Sequence, residues 1–140
     1  MRPAPAATDT EITVSDAVTF PDGIPGFESC RRFVVLAAEE ATPLRRLHAV
    51  DGVGASFLAI DPRGVLEGYR CDLTASDRRR LGATDDEPLL WLALVTLEAS
   101  GALTVNLRAP IVINPRTMTG QQVLPHDCLY PVRHVLLDAE

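Results

Sequence analysis

The run Thr104 to Asn114, TVNLRAPIVIN, constrains the fold more than any other stretch. Val105 and Leu107 alternate with Thr104, Asn106 and Arg108, the period of a strand with one buried face. Ala109-Pro110 interrupts the pattern, and Ile111-Val112-Ile113 resumes it as an apolar run. Proline has no N–H to give to a ladder, so Pro110 requires a sheet edge, a bulge or a strand start. An upstream run, Gly23 to Glu28, reads GIPGFE and concentrates Gly23, Pro25 and Gly26 within four residues. That is turn chemistry between two β segments. Neither run supplies a nucleophile, a general base or a set of metal ligands, which points toward a binding scaffold.

The remaining segments are short and extended. Strands are expected within 11–20, 32–36, 43–50, 56–60, 65–69, 102–107, 111–113, 121–124 and 132–137. Asp51-Gly52, Asp61-Pro62-Arg63-Gly64 and Asn114-Pro115 mark turns between them. Leu89 to Leu97, which contains Trp91, reads as a central strand buried on both faces over part of its length. One helix is expected at Thr74 to Gly82. Thr74 suits the N-cap, Asp77 is its capping partner three residues on, and Gly82 suits the position after the last turn. Arg78, Arg79 and Arg80 then lie where cations complement the helix dipole. Turns that recur every roughly 8–15 residues argue for a mostly β fold: a small antiparallel β-barrel-like or sandwich domain with one or two short helices. Residues 1–10 are expected to be a disordered leader and residues 11–140 a single domain, a usual size for one.

Composition narrows the function classes. The net charge is −6, and all 13 basic residues are arginine. Nucleic-acid binders carry basic surfaces, so direct RNA or DNA binding is disfavoured and a basic protein partner is favoured. No apolar stretch approaches the ~20 residues of a membrane span, and a cytoplasmic monomer without a membrane role is expected. Cys30, Cys71 and Cys128 are widely spaced and form no CxxC, so reduced structural thiols are expected. His126-Asp127-Cys128 is a polar loop rather than a metal site, and no catalytic set or cofactor is expected. The candidate partner-binding residues are two groups. Asp85, Asp86 and Glu87 form an acidic turn that could steer a basic partner. Asn106, Arg108, Pro110 and Asn114 belong to the broken strand, where the polar members either line a groove or satisfy backbone at the break.

Two runs also carry a resemblance. Phe20-x-x-Gly-Ile-Pro-Gly-Phe-Glu28 precedes, by about eighty residues, Thr104-x-Asn-Leu-x-Ala-Pro-Ile-Val-Ile-Asn114, and this pair resembles the flagellar assembly factor FliW family. Phe33, Leu47, Phe57, Asp61-Pro62, Tyr69, Leu81, Gln122-Val123 and Tyr130 extend the similarity from about Ile12 to Leu137. The chain departs from the family pattern at His48-Ala49 and at Gln121. The resemblance implies a non-enzymatic β-barrel-like protein that binds newly made flagellin in the cytoplasm. It also implies binding to the translational regulator CsrA, whose repression of flagellin translation is thereby relieved. A different class, a small barrel enzyme or ligand-binding barrel with an unrecognised pocket, is the alternative.

Overall fold

The alternation and turn signals produce nine strands among the described residues. They are β1 (Val18–Thr19), β2 (Arg32–Ala37), β3 (Arg45–Ala49), β4 (Ser56–Ile60), β5 (Leu90–Leu97), β6 (Leu103–Val105), β7 (Ile111–Asn114), β8 (Thr119–Gln122) and β9 (His134–Leu137). One helix, α1 (Ala75–Leu81), lies between β4 and β5. The structure, a computed structural model, describes residues 17–37, 44–51, 55–84, 87–125 and 129–137.

Strands β1 to β5 pair antiparallel in sequence order, each with the next. The far edge of β5 then takes two partners. Its first half, Leu90 to Leu92, pairs with β7, and its second half, Val95 to Leu97, pairs with β6. β7 makes an antiparallel hairpin with β8, and β8 meets β1 in parallel at Thr19↔Thr119. The circuit β1-β2-β3-β4-β5-β7-β8 is therefore a closed barrel of seven strands. β6 and β9 leave it as a two-stranded extension. The antiparallel expectation holds for every pairing except β1–β8.

The period of two decides what fills the barrel. Phe33, Leu47, Ala49, Ala59, Leu92, Ile111 and Ile113 point inward and pack with Val18 and Phe20. Phe20, Phe33 and Phe57 form a chain of ring contacts in this core, which the exposed Phe27 extends to the surface. Phe20–Phe33 and Phe27–Phe57 meet edge-on at 5.2 and 5.0 Å, and Phe33–Phe57 joins them at 6.1 Å. Edge-on rings at such spacing add to the area they bury. Space for the Phe20 ring comes from Gly120 on β8, where a Cβ would stand 2.6 Å from Cζ of that ring. The GIPGFE turn is equally tight, because a Cβ on Gly23 would stand 2.7 Å from the Glu28 backbone.

β5 is covered on both sides, as its unbroken apolar run implied. Leu92 faces the interior, while Ala93 and Val95 face outward under Tyr69, Leu107 and Ile60. Trp91 packs against a third cluster of Leu81, Val112 and Val123, which seats α1 on the outside of the barrel. The helix is capped as its sequence requires. Thr74 Oγ1 accepts from Asp77 N at 3.0 Å, the Asp77 carboxylate accepts from Thr74 N, and Gly82 closes the helix at φ 63°.

The last carbonyls of a helix have no partner within it. Here the turn between β7 and β8 supplies them. Leu81 O accepts from Asn114 Nδ2 at 3.0 Å and from Thr117 Oγ1 at 2.9 Å, and Gly82 O accepts from Arg116 Nη2 at 2.7 Å. Asn114 Oδ1 in turn accepts from Arg116 N at 2.9 Å. Arg116 Nε and Nη2 also donate to the Glu87 carboxylate, which accepts from Thr84 N as well. The Arg116 guanidinium and the Thr84 amide hold the Glu87 carboxyl at about 2, well below the usual range. The expected exposed acidic turn is thus corrected at Glu87, whose side chain is only 10% exposed and belongs to the helix clasp. Residues 65–69, expected to be extended, instead follow a 3-10 turn at Pro62–Gly64. Asp61 caps that turn through Arg63 N at 2.9 Å, and Pro62 occupies its first position. The loop 126–128 and most of the Asp51-Gly52 turn lie outside the described residues.

Three outcomes follow from this packing. Gly120→Ala should destabilise the domain by about 1–3 kcal/mol in urea unfolding, because Phe20 has no room to yield. Gly64→Ala, with nothing within 4 Å of its Cβ position, should be near neutral. Asn114→Ala should cost about 1–3 kcal/mol in the same measurement, because it leaves Leu81 O with Thr117 Oγ1 alone and Arg116 N without its acceptor, inside a buried site. The depressed Glu87 pKa stabilises the fold fully above the unfolded carboxylate range near 4.5 and is lost as pH falls toward about 2. Acid unfolding followed by circular dichroism should therefore show a shallower loss of stability between those values in Glu87→Gln than in the native chain.

Candidate functional site

The break at Ala109-Pro110 is a large excursion in one strand. Val95 faces Val105 and Leu92 faces Ile111, so β5 advances three residues while the opposite chain advances six. The three extra residues are accommodated between Asn106 and Pro110. Asn106 organises them: its N–H donates to Leu94 O at 3.0 Å, so the strand is still in register at this point. Its side-chain Oδ1 then accepts from Arg108 N at 3.0 Å and Ala109 N at 3.1 Å, two amides that have left the ladder. Asparagine suits this work because its short side chain reaches the backbone two and three residues on.

Other backbone groups of the excursion also find partners. Leu107 N donates to Pro131 O at 3.1 Å, and Leu107 O accepts from Tyr69 OH at 2.8 Å. Gln122 Nε2 donates to Ala109 O, and Val123 N donates to Pro110 O, both at 2.9 Å. Arg108 projects to solvent, and its Nε donates to Tyr130 O at 2.9 Å. Tyr130 stacks on Tyr69 with ring centroids 4.6 Å apart, and its hydroxyl accepts from Arg70 N at 2.9 Å. The excursion, the two tyrosines and the 129–131 segment therefore form one bonded unit on the outer surface, beside the origin of the β6–β9 extension.

That extension has its own clamp. Arg133, just before β9, donates from Nε to Glu98 Oε2 at 2.9 Å, and Thr104 Oγ1 donates to the same oxygen at 2.9 Å. The Arg133 guanidinium and the Thr104 hydroxyl hold the Glu98 carboxyl at about 2.

The structure separates the residues singled out in the sequence. It brings Asn106, Arg108 and Pro110 together at the excursion, but Pro110 is buried. Asn114 is fully buried, and both ends of its amide serve the helix clasp. The polar members of this run thus satisfy backbone rather than line a groove, and Arg108 alone among the four is exposed. Glu87 lies in the clasp with Asn114, and Asp85 and Asp86 lie outside the described residues. The sequence reading missed Arg116, Glu98 and Arg133, because each owes its role to a partner distant in sequence.

A cavity of about 440 Å³ opens beside the GIPGFE turn, between Pro21, Asp22, Glu28, Arg80, Gln121 and Gln122. Gly26 N donates to Glu28 Oε2 at 3.1 Å, which lowers that carboxyl's pKa. Arg80 faces Asp22 at 3.4 Å. Among its lining residues there is no hydroxyl, thiol or imidazole that could act as a nucleophile. Among the described residues there is no group of three or more metal-ligating side chains, and no helix is long and apolar enough to cross a membrane. Cys30 and Cys71 form no disulfide among the described residues.

Known proteins share both the sequence and the barrel. The family model described as FliW protein matches residues 4–136. The flagellar assembly factor FliW of Natranaerobius thermophilus is 31% identical over 137 residues, covering 96% of this chain and 91% of its own. That of Geobacter sulfurreducens is 33% identical over 131 residues, covering 91% and 82%. A crystal structure of the flagellar assembly factor FliW superposes with a TM-score of 0.80 at 32% identity, covering 93% of this chain and 92% of that one. With matching sequence along nearly its whole length and the same barrel, this chain belongs to the FliW family.

Proposed function

We propose that this chain is a non-enzymatic flagellar assembly factor that binds flagellin in the cytoplasm and antagonises CsrA, so that flagellin supply sets flagellin translation. The observation that carries the reading is the end-to-end family match on a barrel of the same shape. The site chemistry agrees with it. The excursion at Asn106–Pro110 is spent on holding backbone, and the ion pairs at Glu87 and Glu98 hold elements to the barrel. What the chain offers other molecules is shaped surface.

A sensor of this kind works through linkage. If flagellin and CsrA compete for the protein, each weakens the other by the same factor, whichever is added first. Free flagellin then releases CsrA to repress, and exported flagellin frees the factor to sequester CsrA. Arg108 is the first residue to test as a contact, because exposed arginine is over-represented among interface residues that dominate binding. The net charge of −6 favours a basic partner, and Asp85 and Asp86 remain candidates for steering one.

Titration calorimetry of the full chain with flagellin, with CsrA, and with each in the presence of the other tests this. Binding to both with mutual weakening is the expected result. Simultaneous binding at unchanged affinity would remove the switch, and binding to neither would remove the function. Arg108→Ala should weaken at least one partner about tenfold while leaving the thermal midpoint close to native, because its one internal bond is at the surface.

A further inference from the structure

The barrel's outer surface is covered unevenly. α1 lies over β7 and β8, with Leu81 seated on Val112 and Val123. Tyr69, Val65, Leu66 and Tyr130 cover the outward side chains of β5 and β6. The outward face of β2 and β3 has no such layer among the described residues. It presents Arg32, Val34 and Leu36 on β2, with Arg46 and His48 on β3. The registers Val34↔His48 and Leu36↔Arg46 set these side chains in adjoining rows. Leu36 is 47% exposed, although its strand is buried on the opposite side.

The charge of this face is opposite to that of the chain. β2, β3 and β4 contain no acidic residue, while Arg32 and Arg46 are exposed and have no acidic side-chain partner among the described residues. The Asp51 carboxylate, just past the end of β3, accepts from the backbone N–H groups of Arg31 and Arg32 at 3.2 and 3.3 Å rather than from a guanidinium of this face. Apolar side chains flanked by unpaired arginines match an amphipathic helix whose apolar stripe is bordered by carboxylates. A helix on this face would add the same layer that α1 adds on β7 and β8. RNA matches it less well, because the face carries no Phe, Tyr or Trp ring for a base to stack on, only the half-buried His48, and the chain as a whole repels phosphate.

We propose that the outward face of β2 and β3 is a docking surface for an acidic amphipathic helix of a partner protein, seated on Val34 and Leu36 and held by Arg32 and Arg46. It rests on the reading that the chain works through protein partners. Its test uses neither flagellin nor CsrA, so its failure and the failure of that reading are separate results.

The probe is an amphipathic peptide of roughly 18 residues, about five helical turns. Leucines stand at i, i+3, i+4 and i+7 spacing, glutamates border the stripe and alanines fill the rest. A control peptide carries lysine for each glutamate. The full chain, isotope-labelled, is titrated with each by NMR. The expected result is amide shifts centred on Val34, Leu36, Arg46 and His48 with the glutamate peptide and weaker binding by the lysine peptide. The double variant Arg32→Glu/Arg46→Glu, with native thermal midpoint, should lose about tenfold affinity for the glutamate peptide and gain it for the lysine peptide. Equal binding of both peptides by the native chain, shifts centred on another face, or no binding would overturn the proposal. So would the same amide shifts produced by polyuridine RNA, or by raising the protein concentration with no peptide present, which would assign the face to nucleic acid or to a second copy.

Discussion

The fold depends on β5 holding two partners along one edge. A strand edge has a single row of donors and acceptors, so β6 and β7 can share it only end to end. The chain between them must then leave the ladder and return without stranding its amides. Asn106 makes this possible by taking two of the displaced N–H groups on one oxygen. From that point the sheet divides. β7 leads through β8 to β1 and closes the barrel, while β6 leads to β9 and leaves it. Pro110, which cannot donate to a ladder, stands where no ladder bond is required of it, and its own carbonyl is taken by Val123 N.

This division gives the molecule two kinds of cohesion. The barrel is held by an interior of interlocking rings and aliphatic side chains, closed on itself so that no strand edge is left inside the circuit. The attached pieces are held by polar contacts at their ends. α1 is held through its terminal carbonyls by Asn114, Arg116 and Thr117, and β9 through Arg133 and Glu98. A rigid centre with separately attached covers suits a protein whose work is to present surfaces. It also explains why the broken strand, the most distinctive part of the sequence, carries little exposed chemistry beyond Arg108: Asn106 is occupied in making the division and Asn114 in holding α1.

Much of this was legible in the chain. The alternation that leads into β6, the apolar runs of β2, β5 and β7 and the capping residues Thr74, Asp77 and Gly82 are local signals, and each element formed where its signal lay. The break at Pro110 was legible as a break, but not as a fork, since the second partner of β5 is set by pairings far apart in sequence. Residues 65–69 misled because Val65, Leu66 and Tyr69 read as a strand. They are apolar because they roof the outside of β5, a role that needs no extended backbone. Glu87 and Asn114 misled in the same way as candidates for contact, because polar residue types do not announce whether their partner is solvent, another protein or the end of a helix. Only the fold brings Arg116 and Leu81 O to them.

The claim that the Asn106 excursion divides a closed barrel from a separately attached extension is tested most directly by native-state amide hydrogen exchange. The account predicts two tiers. Amides of β5, β7 and β8 should exchange only through global unfolding, whereas those that join β6 to β9 should exchange through a smaller, independent opening. Asn106→Ala should enlarge that smaller opening more than it lowers the global one. A single tier of protection shared by Val112 and Val135, with Asn106→Ala lowering both equally, would contradict it.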